Sequence, residues 1–569
     1  MLTWFDIEPF RYWLVAWICF IGFLIVAVSP LLGETVPLIK RHLGRTAAPG
    51  AFYLAMALAF IAFRWPLFFY EAELNPDESQ IIAAAITLQH DPVYWRSVNG
   101  ATHGPLVEYP LLLIGLLPFP IAYGSARLIG AVLMFGVMVA AHRLLHRAFS
   151  DAVARIAVLP LFCFLAFVSY WDLVHYSSEH TPAALLAIGT ALLGLELLSR
   201  NQNPAGSWRW LAGGVVMGAA PLAKLQAGPI TLVLLIAAAL LDLCTPRPWS
   251  QRLSRLLSLT LAVMIVPLSF LTLTAATGGL SYAWQVYFVH NVVYAGARHH
   301  PISDMLTGFW SFVKLVDGLP AFLAGVSVII AMAVTRWRSF SPQTRHLVLL
   351  SGTFALASFL AVIFPGRRFM HYLLLLVGPM GLLAGSLFAA VWVSLRRTSF
   401  RFGWLILFLA IGVAPQIWSR TRLPHPHVGQ LADSQAGAKS EVARNILRYA
   451  SPGEPLGQWG WMARYHVQTQ MPQATQEGAT PLQIDFTPLR SFYRTHYLHA
   501  LYSSQPPVFI DAVGPGNFAY THRPDASHET WPELNDYIAA GYTLVADIDG
   551  TRIYVRNDRL HLATDQAAP

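Results

Sequence analysis

Apolar runs of about 18–22 residues recur from residue 12 to residue 418, each long enough to cross a hydrocarbon core of about 30 Å. Spans are expected near 12–32, 51–70, 127–145, 156–173, 182–199, 209–223, 227–244, 255–275, 318–335, 346–364, 372–394 and 402–418, about twelve in all. A chain that is 55% hydrophobic, with a positive mean hydropathy, fits no soluble class. The fold class is therefore an all-α polytopic membrane protein. It has a large core, packed mostly in lipid.

The net charge of +8 does not point to nucleic acid, because the basic residues are dispersed in short loops. Lys40, Arg41 and Arg45 follow the first span, and Arg143, Arg147 and Arg155 follow the third. Further groups at Arg200 and Arg209, at Arg247, Arg252 and Arg255, at Arg336, Arg338 and Arg345, and at Arg396, Arg397 and Arg401 mark every second loop after that. The positive-inside rule makes these loops cytoplasmic and puts the other loops and both termini outside. The first span is too long for a signal peptide and its basic flank follows it, so it reads as an anchor. Cys19, Cys163 and Cys244 lie in or at the edge of spans, and no disulfide framework is implied.

Three regions are delimited: an N-terminal anchor with its loop (1–50), a membrane core (51–418) and a polar tail (419–569). Two outer loops of the core, 71–126 and 276–317, are larger than connectors. In the first, IIAAAITLQH and the proline-broken LVEYPLLLIGLLPFPIAY are expected to lie flat on the outer face, which keeps the 143–155 basic cluster inside. In the tail, SQAGAKSEVARNILRYAS reads as an amphipathic helix and PPVFIDAV, YTLVADI and TRIYVRN as strands, with a hairpin turn at Asp549-Gly550. A small extracytoplasmic α/β domain of about 150 residues is the expectation.

Only 12% of the chain is charged, yet EAELNPDESQ concentrates Glu71, Glu73, Asp77 and Glu78 just after a span. Asn75-Pro76-Asp77-Glu78 has the form of a helix start, with Asn75 as N-cap, Pro76 at the first position and Glu78 completing a capping box. That accounts for Glu78 better than for Asp77. Arg127, Lys224, Arg298, Arg367 and Arg368 break the positive-inside pattern at the outer rim, in the company of His103, Glu108, Glu179, His180, His299, His300, His371 and Tyr372. Ionisable groups at such a boundary are functional candidates. A carboxylate can take a proton from an attacking hydroxyl, and arginines and lysines can bind a phosphate leaving group.

NPDESQIIAAAITL, HGPLVEYPLLL, SARLIGAVLMF, PLAKLQAGP and PGRRFMHYLLLLVGPMGLLAG occur in an order that resembles the GT-C superfamily of membrane glycosyltransferases. The likeness is to its protein O-mannosyltransferase and lipid A aminoarabinose transferase branch. It covers most of residues 50–395. It implies a sugar donor carried on polyprenyl phosphate and an acceptor hydroxyl on an envelope glycan, lipid or protein. It also implies a bacterial plasma membrane with the active site and tail facing the periplasm. The residues matching the family's acid pair are Asp77 and Glu78, with Asp77 as base. Lys224, Arg367 and Arg368, with His371 and Tyr372 beside them, match groups that contact the lipid phosphate. His103, Glu108, Arg127, Arg298 and His299 are candidates for sugar or acceptor contacts. His103-Gly104 stands where the family has a lysine before its first proline, and the N-terminal span is additional. The implied reaction is a single inverting displacement without a cofactor.

A metal held by His299, His300 and Asp304 is the weaker reading beside an ordinary surface loop. Trp459 and Trp461 could stack on sugar rings, although aromatics in a small α/β domain are more often core. Gly514-Pro515-Gly516-Asn517 lacks phosphate-fingerprint spacing and reads as a turn. The rival functions are a ligase using a polyprenyl-pyrophosphate glycan, and a secondary transporter or flippase. The charges gather at one rim rather than at the midplane a transporter requires.

Overall fold

The structure is a computed structural model that describes residues 2–35, 48–117, 119–199, 207–296, 301–366, 369–395, 397–422 and 425–562. Among them, nine helices are long and apolar enough to cross a membrane: Pro9–Leu31, Pro49–Phe69, Tyr123–Ala148, His180–Leu197, Trp249–Ala276, Leu319–Ser339, Pro342–Ile363, Met370–Ser394 and Ser399–Arg422. Ala227–Leu243 is a shorter apolar helix, and Trp208–Ala223 has 16 residues. The span expected near 156–173 is instead two short helices, Asp151–Ala157 and Leu159–Phe167. Pro160, in the first turn of the second, has no N–H to continue the first and is well placed to start a new helix. Every residue of Leu159–Phe167 is buried, so this apolar run marks an interior element.

The helices pack around one extended apolar core. Some approach to backbone contact. A Cβ on Gly218 would overlap the Val263 carbonyl, so only glycine lets Trp208–Ala223 lie this close to Trp249–Ala276. That contact fixes the helix end at which Lys224 is the C-cap.

The acid-rich loop leads into the helix Pro76–His90. Ile81, Ile82, Ala85 and Ile86 pack with Val107, Ile121 and Tyr123 on one side and with Val467 of the tail on the other. Among the described residues of 106–122, Tyr109–Gly115 are helical, and the next helix begins at Tyr123.

The tail carries a four-stranded sheet in the order β1-β2-β4-β3, with β1 Leu456–Trp459, β2 Val508–Asp511, β3 Tyr542–Ile548 and β4 Thr551–Arg556. β1 and β2 are parallel, and β4 is antiparallel to both β2 and β3. Asp549 and Gly550 turn the β3–β4 hairpin with φ of 51° and 80°, the left-handed pair that a two-residue hairpin needs. The expected amphipathic helix is broken at Gly437 into Leu431–Ala436 and Glu441–Ile446, the second capped by the Ser440 hydroxyl.

Candidate active site

A cavity of about 1210 Å³ opens where one end of the membrane helices meets the tail. Val233, Leu360, Ala361 and Phe364 give it an apolar wall from the membrane helices. Asp77, His103, Glu108, Lys224, His371 and Tyr372 give it a polar wall. Trp461, Gln476, Glu477 and Phe518 close it from the tail.

The Asn75 side chain accepts the Asp77 N–H at 2.8 Å and starts the helix, as the sequence implied. Its amide donates to Asp172 Oδ1 at 2.6 Å. Asp77 is half-buried, lines the cavity and accepts a hydrogen bond from Gln80 Nε2 at 3.2 Å. Adjacent residues of a helix point about 100° apart, so Glu78 faces away. Its carboxylate accepts from Arg127 Nε at 2.9 Å and Nη2 at 2.7 Å, and from the Tyr176 N–H at 2.9 Å. Both side chains are buried, and neither lines the cavity. Arg127 also donates to the carbonyls of Tyr70 and Ala72, locking the loop to the Tyr123–Ala148 helix. Glu78 was expected beside Asp77 in catalysis and Arg127 at the sugar; the geometry gives both to the scaffold instead. The capping box is also absent, since Glu78 reaches the Leu74 N–H at 3.5 Å rather than that of Asn75.

Lys224 Nζ donates to Ser178 Oγ at 2.9 Å and to Glu179, and lies 4.5 Å from the centre of the Tyr372 ring. Burial opposes the charged form of Glu179, but Lys224, His371 and the Ser177 side chain together outweigh it and hold the carboxyl well below its usual range. An ammonium has three donors, so one N–H remains for a ligand in the cavity that Lys224 lines. His371 Nδ1 lies 3.1 Å from Asp172 Oδ1, while Asp172 Oδ2 accepts the Met370 and His371 N–H groups at 3.0 and 3.1 Å. Asp172 thus ties the start of the Asp77 helix to the start of the Met370–Ser394 span. No single local signal marked it beyond being an acid in an apolar stretch.

His103 Nε2 lies 2.5 Å from Glu108 Oε1, and the Tyr94 hydroxyl donates to Glu108 Oε2 at 3.1 Å. Burial acts against the imidazolium, but the Glu108 carboxylate more than offsets it, and the His103 pKa is raised. Gly104 follows for a steric reason. Its N–H donates to the Ala223 carbonyl at 2.8 Å, and a Cβ there would overlap the Leu222 carbonyl. The loop of His103 is therefore seated beside Lys224, and both line the same cavity. Arg367 and Arg368, Arg298, His299 and His300 lie outside the described residues.

The tail supplies residues that the sequence did not single out. Glu477 is buried, accepts from Asn99 Nδ2 at 3.1 Å and lines the cavity. Burial pushes its pKa up to about 7. The two tryptophans separate: Trp459 is core, whereas Trp461 is half-buried and packs edge-on to Phe518 at the cavity. Asp172, His175 and His371 bring ligand atoms within 4.8 Å of one another. Both Asp172 oxygens already accept from Asn75, His371 and backbone N–H groups, the pattern of a structural knot.

No protein-family model matches the sequence, and no curated protein matches it. Among solved structures, ArnT from Cupriavidus metallidurans bound to undecaprenyl phosphate matches with a TM-score of 0.60 at 14% identity, over 91% of this chain and 99% of that chain. The apo state of the same protein matches with a TM-score of 0.55 at 14% identity, over 91% and 98% of the two chains. This chain therefore shares the fold of ArnT, in agreement with the fold that the sequence resemblance implies.

Proposed function

We propose that this chain is a membrane glycosyltransferase that moves a sugar from a polyprenyl-phosphate carrier to a hydroxyl of an envelope glycan, lipid or protein. The site faces the periplasmic side of a bacterial plasma membrane. The supporting observation is a cavity with an apolar wall from the membrane helices beside Asp77 and Lys224. The apolar wall suits a lipid carrier, Lys224 its phosphate, and Asp77 the incoming hydroxyl. ArnT, with the same fold, binds undecaprenyl phosphate.

In the proposed step Asp77 takes the proton of the acceptor hydroxyl as that oxygen attacks the anomeric carbon. The bond from that carbon to the phosphate oxygen breaks on the opposite face, inverting the centre. The electron pair leaves with the polyprenyl phosphate, whose growing charge meets Lys224 over the Tyr372 ring. Arg367, Arg368 and His371 are assigned to the same phosphate. A sugar phosphate is already a good leaving group, so no second acid and no cofactor enters the step. His103 and Glu108, which line the same cavity, are assigned to sugar or acceptor hydroxyls.

The test is sugar transfer by the purified protein in detergent, with polyprenyl-phosphate sugars and envelope acceptors. Asp77→Asn is expected to bind the carrier and to lose at least about a hundredfold in rate. Normal transfer by this variant refutes the base assignment. Binding of a pyrophosphate-linked glycan, with none of the monophosphate carrier, refutes the donor class.

A further inference from the structure

A second cavity, of about 350 Å³, lies behind the Tyr170–Trp171 wall of the first, and both are lined by these two residues and Leu315. Its far side is the end of the Leu159–Phe167 helix and the last turns of the final span. Three of its lining side chains, Gln416, Arg420 and His427, are 4%, 4% and 7% exposed. Each has an atom with no hydrogen-bond partner among the described residues: Gln416 Oε1, Arg420 Nη2 and His427 Nε2.

The charge is as unbalanced as the hydrogen bonding. Arg420 Nη1 donates to Ser169 Oγ at 3.0 Å, and its guanidinium lies over the Trp13 ring at 4.6 Å. Arg64, near enough to feel its charge, is also buried and gives its N–H groups to the Leu165 carbonyl. Among the described residues neither arginine has a carboxylate within ion-pair distance. Asp317 borders the cavity, but it is exposed and pairs with neither. A buried charge without a partner costs several kcal/mol. Arg420 sits in the last turn of a helix, whose dipole returns at most about 2 kcal/mol. An anion in this cavity would supply the rest.

We propose that the second cavity binds the phosphate of a lipid head group that also carries a hydroxyl or an ammonium. Arg420 Nη2 and the His427 ring donate to the phosphate oxygens. Gln416 Oε1, an acceptor that would repel an anion, accepts a hydrogen bond from the hydroxyl or ammonium. Phe164, Phe167 and Val316 extend the lining with apolar surface, which suits acyl chains better than a free anion. Such an occupant would touch Tyr170 and Trp171 from behind the transfer cavity. The site stands independently of the proposed transfer reaction.

The test is thermal unfolding of the delipidated full-length protein in nonionic detergent, titrated with dihexanoyl phosphatidylglycerol, dihexanoylglycerol or inorganic phosphate. The expected result is a saturable rise in Tm with phosphatidylglycerol alone. Arg420→Gln is expected to weaken that apparent affinity at least about tenfold, the loss of one hydrogen bond to a charged group. Asp77→Asn and Lys224→Gln are expected to leave it unchanged, which separates this site from the transfer cavity. If Arg420→Gln does not yield folded protein, Ser169→Leu, which fills the cavity and keeps the charge, is expected to give the same loss. The proposal is overturned if phosphatidylglycerol gives no saturable rise, or if the folded variant keeps wild-type affinity. It is equally overturned if Lys224→Gln abolishes the effect, or if inorganic phosphate at equal concentration reproduces it.

Discussion

Two adjacent acids, Asp77 and Glu78, should fail in opposite ways. Glu78 is 0% exposed and takes four hydrogen bonds, from Arg127 Nε, Arg127 Nη2, the Tyr176 N–H and, at 3.5 Å, the Leu74 N–H. In Glu78→Gln one amide oxygen must serve donors that two carboxylate oxygens served. The new NH₂ then faces an Arg127 N–H, donor against donor. The Arg127 charge stays buried, held only by the carbonyls of Leu67, Tyr70 and Ala72. Removing one member of a buried pair costs about 3–5 kcal/mol, and the remaining carbonyls put this case toward the lower end. Asp77 is half-buried with a single 3.2 Å side-chain hydrogen bond from Gln80, so Asp77→Asn should cost no more than about 1 kcal/mol. The assay is reversible denaturation in mixed detergent, read by tryptophan fluorescence, together with transfer activity of the folded fraction. Asp77→Asn should unfold like wild type and be inactive. Glu78→Gln should unfold at markedly lower denaturant, and its folded fraction should retain activity. A Glu78→Gln protein that is as stable as wild type but inactive would refute the separation of roles.

Three further outcomes follow from the same geometry. Glu477 has its pKa raised by burial from 4.5 to about 7, so the folded state keeps a proton that the unfolded state has lost. Its contribution to stability is then fully present below about pH 4.5 and lost as pH rises through about 7. Glu477→Gln should flatten the fall of Tm across that window, and an unchanged Tm–pH slope would count against it. Lys224→Met removes the counter-charge of Glu179 and the proposed phosphate contact together, so Tm and polyprenyl-phosphate affinity should both drop, the latter at least about tenfold. Lys224→Arg should restore stability more than transfer, because the planar fork replaces a point charge. Gly104→Ala should lose activity with carrier binding retained, since the added Cβ pushes the His103 loop off the Leu222 carbonyl; loss of neither would show that the loop has slack.

The Asn75 cap, three of the four tail strands and the Asp549-Gly550 turn are local, set by neighbouring residues, and the sequence anticipated them; β1 at Leu456–Trp459 it did not mark. The interruption at Val158 was equally local, with Pro160 in plain view, but the apolar run around it outweighed that signal. The site itself divides along the same line. Asp77, His103, Glu108, Lys224, His371 and Tyr372 were all marked as polar residues at one rim, and all line one cavity. Partner choice was not marked. Glu78 pairs with a residue 49 positions away, and Asp172 holds one 199 positions away. No spacing rule links such positions.

Apolar run lengths and the low charge density were enough to make this chain a helical membrane protein, because a hydrocarbon solvent accepts little else. The rarity of charge also made the acids and bases at one rim of the helices stand out as candidates. Which of them share a space was decided by packing. One helical step of about 100° turned Asp77 to the cavity and Glu78 to Arg127. A glycine without a Cβ seated His103 beside Lys224. The folding of the tail over the Pro76–His90 helix brought Glu477 and Trp461 to a wall whose other residues lie some hundreds of positions earlier. Residue type and period are carried by neighbouring positions. Direction, pairing and enclosure exist only once distant segments meet.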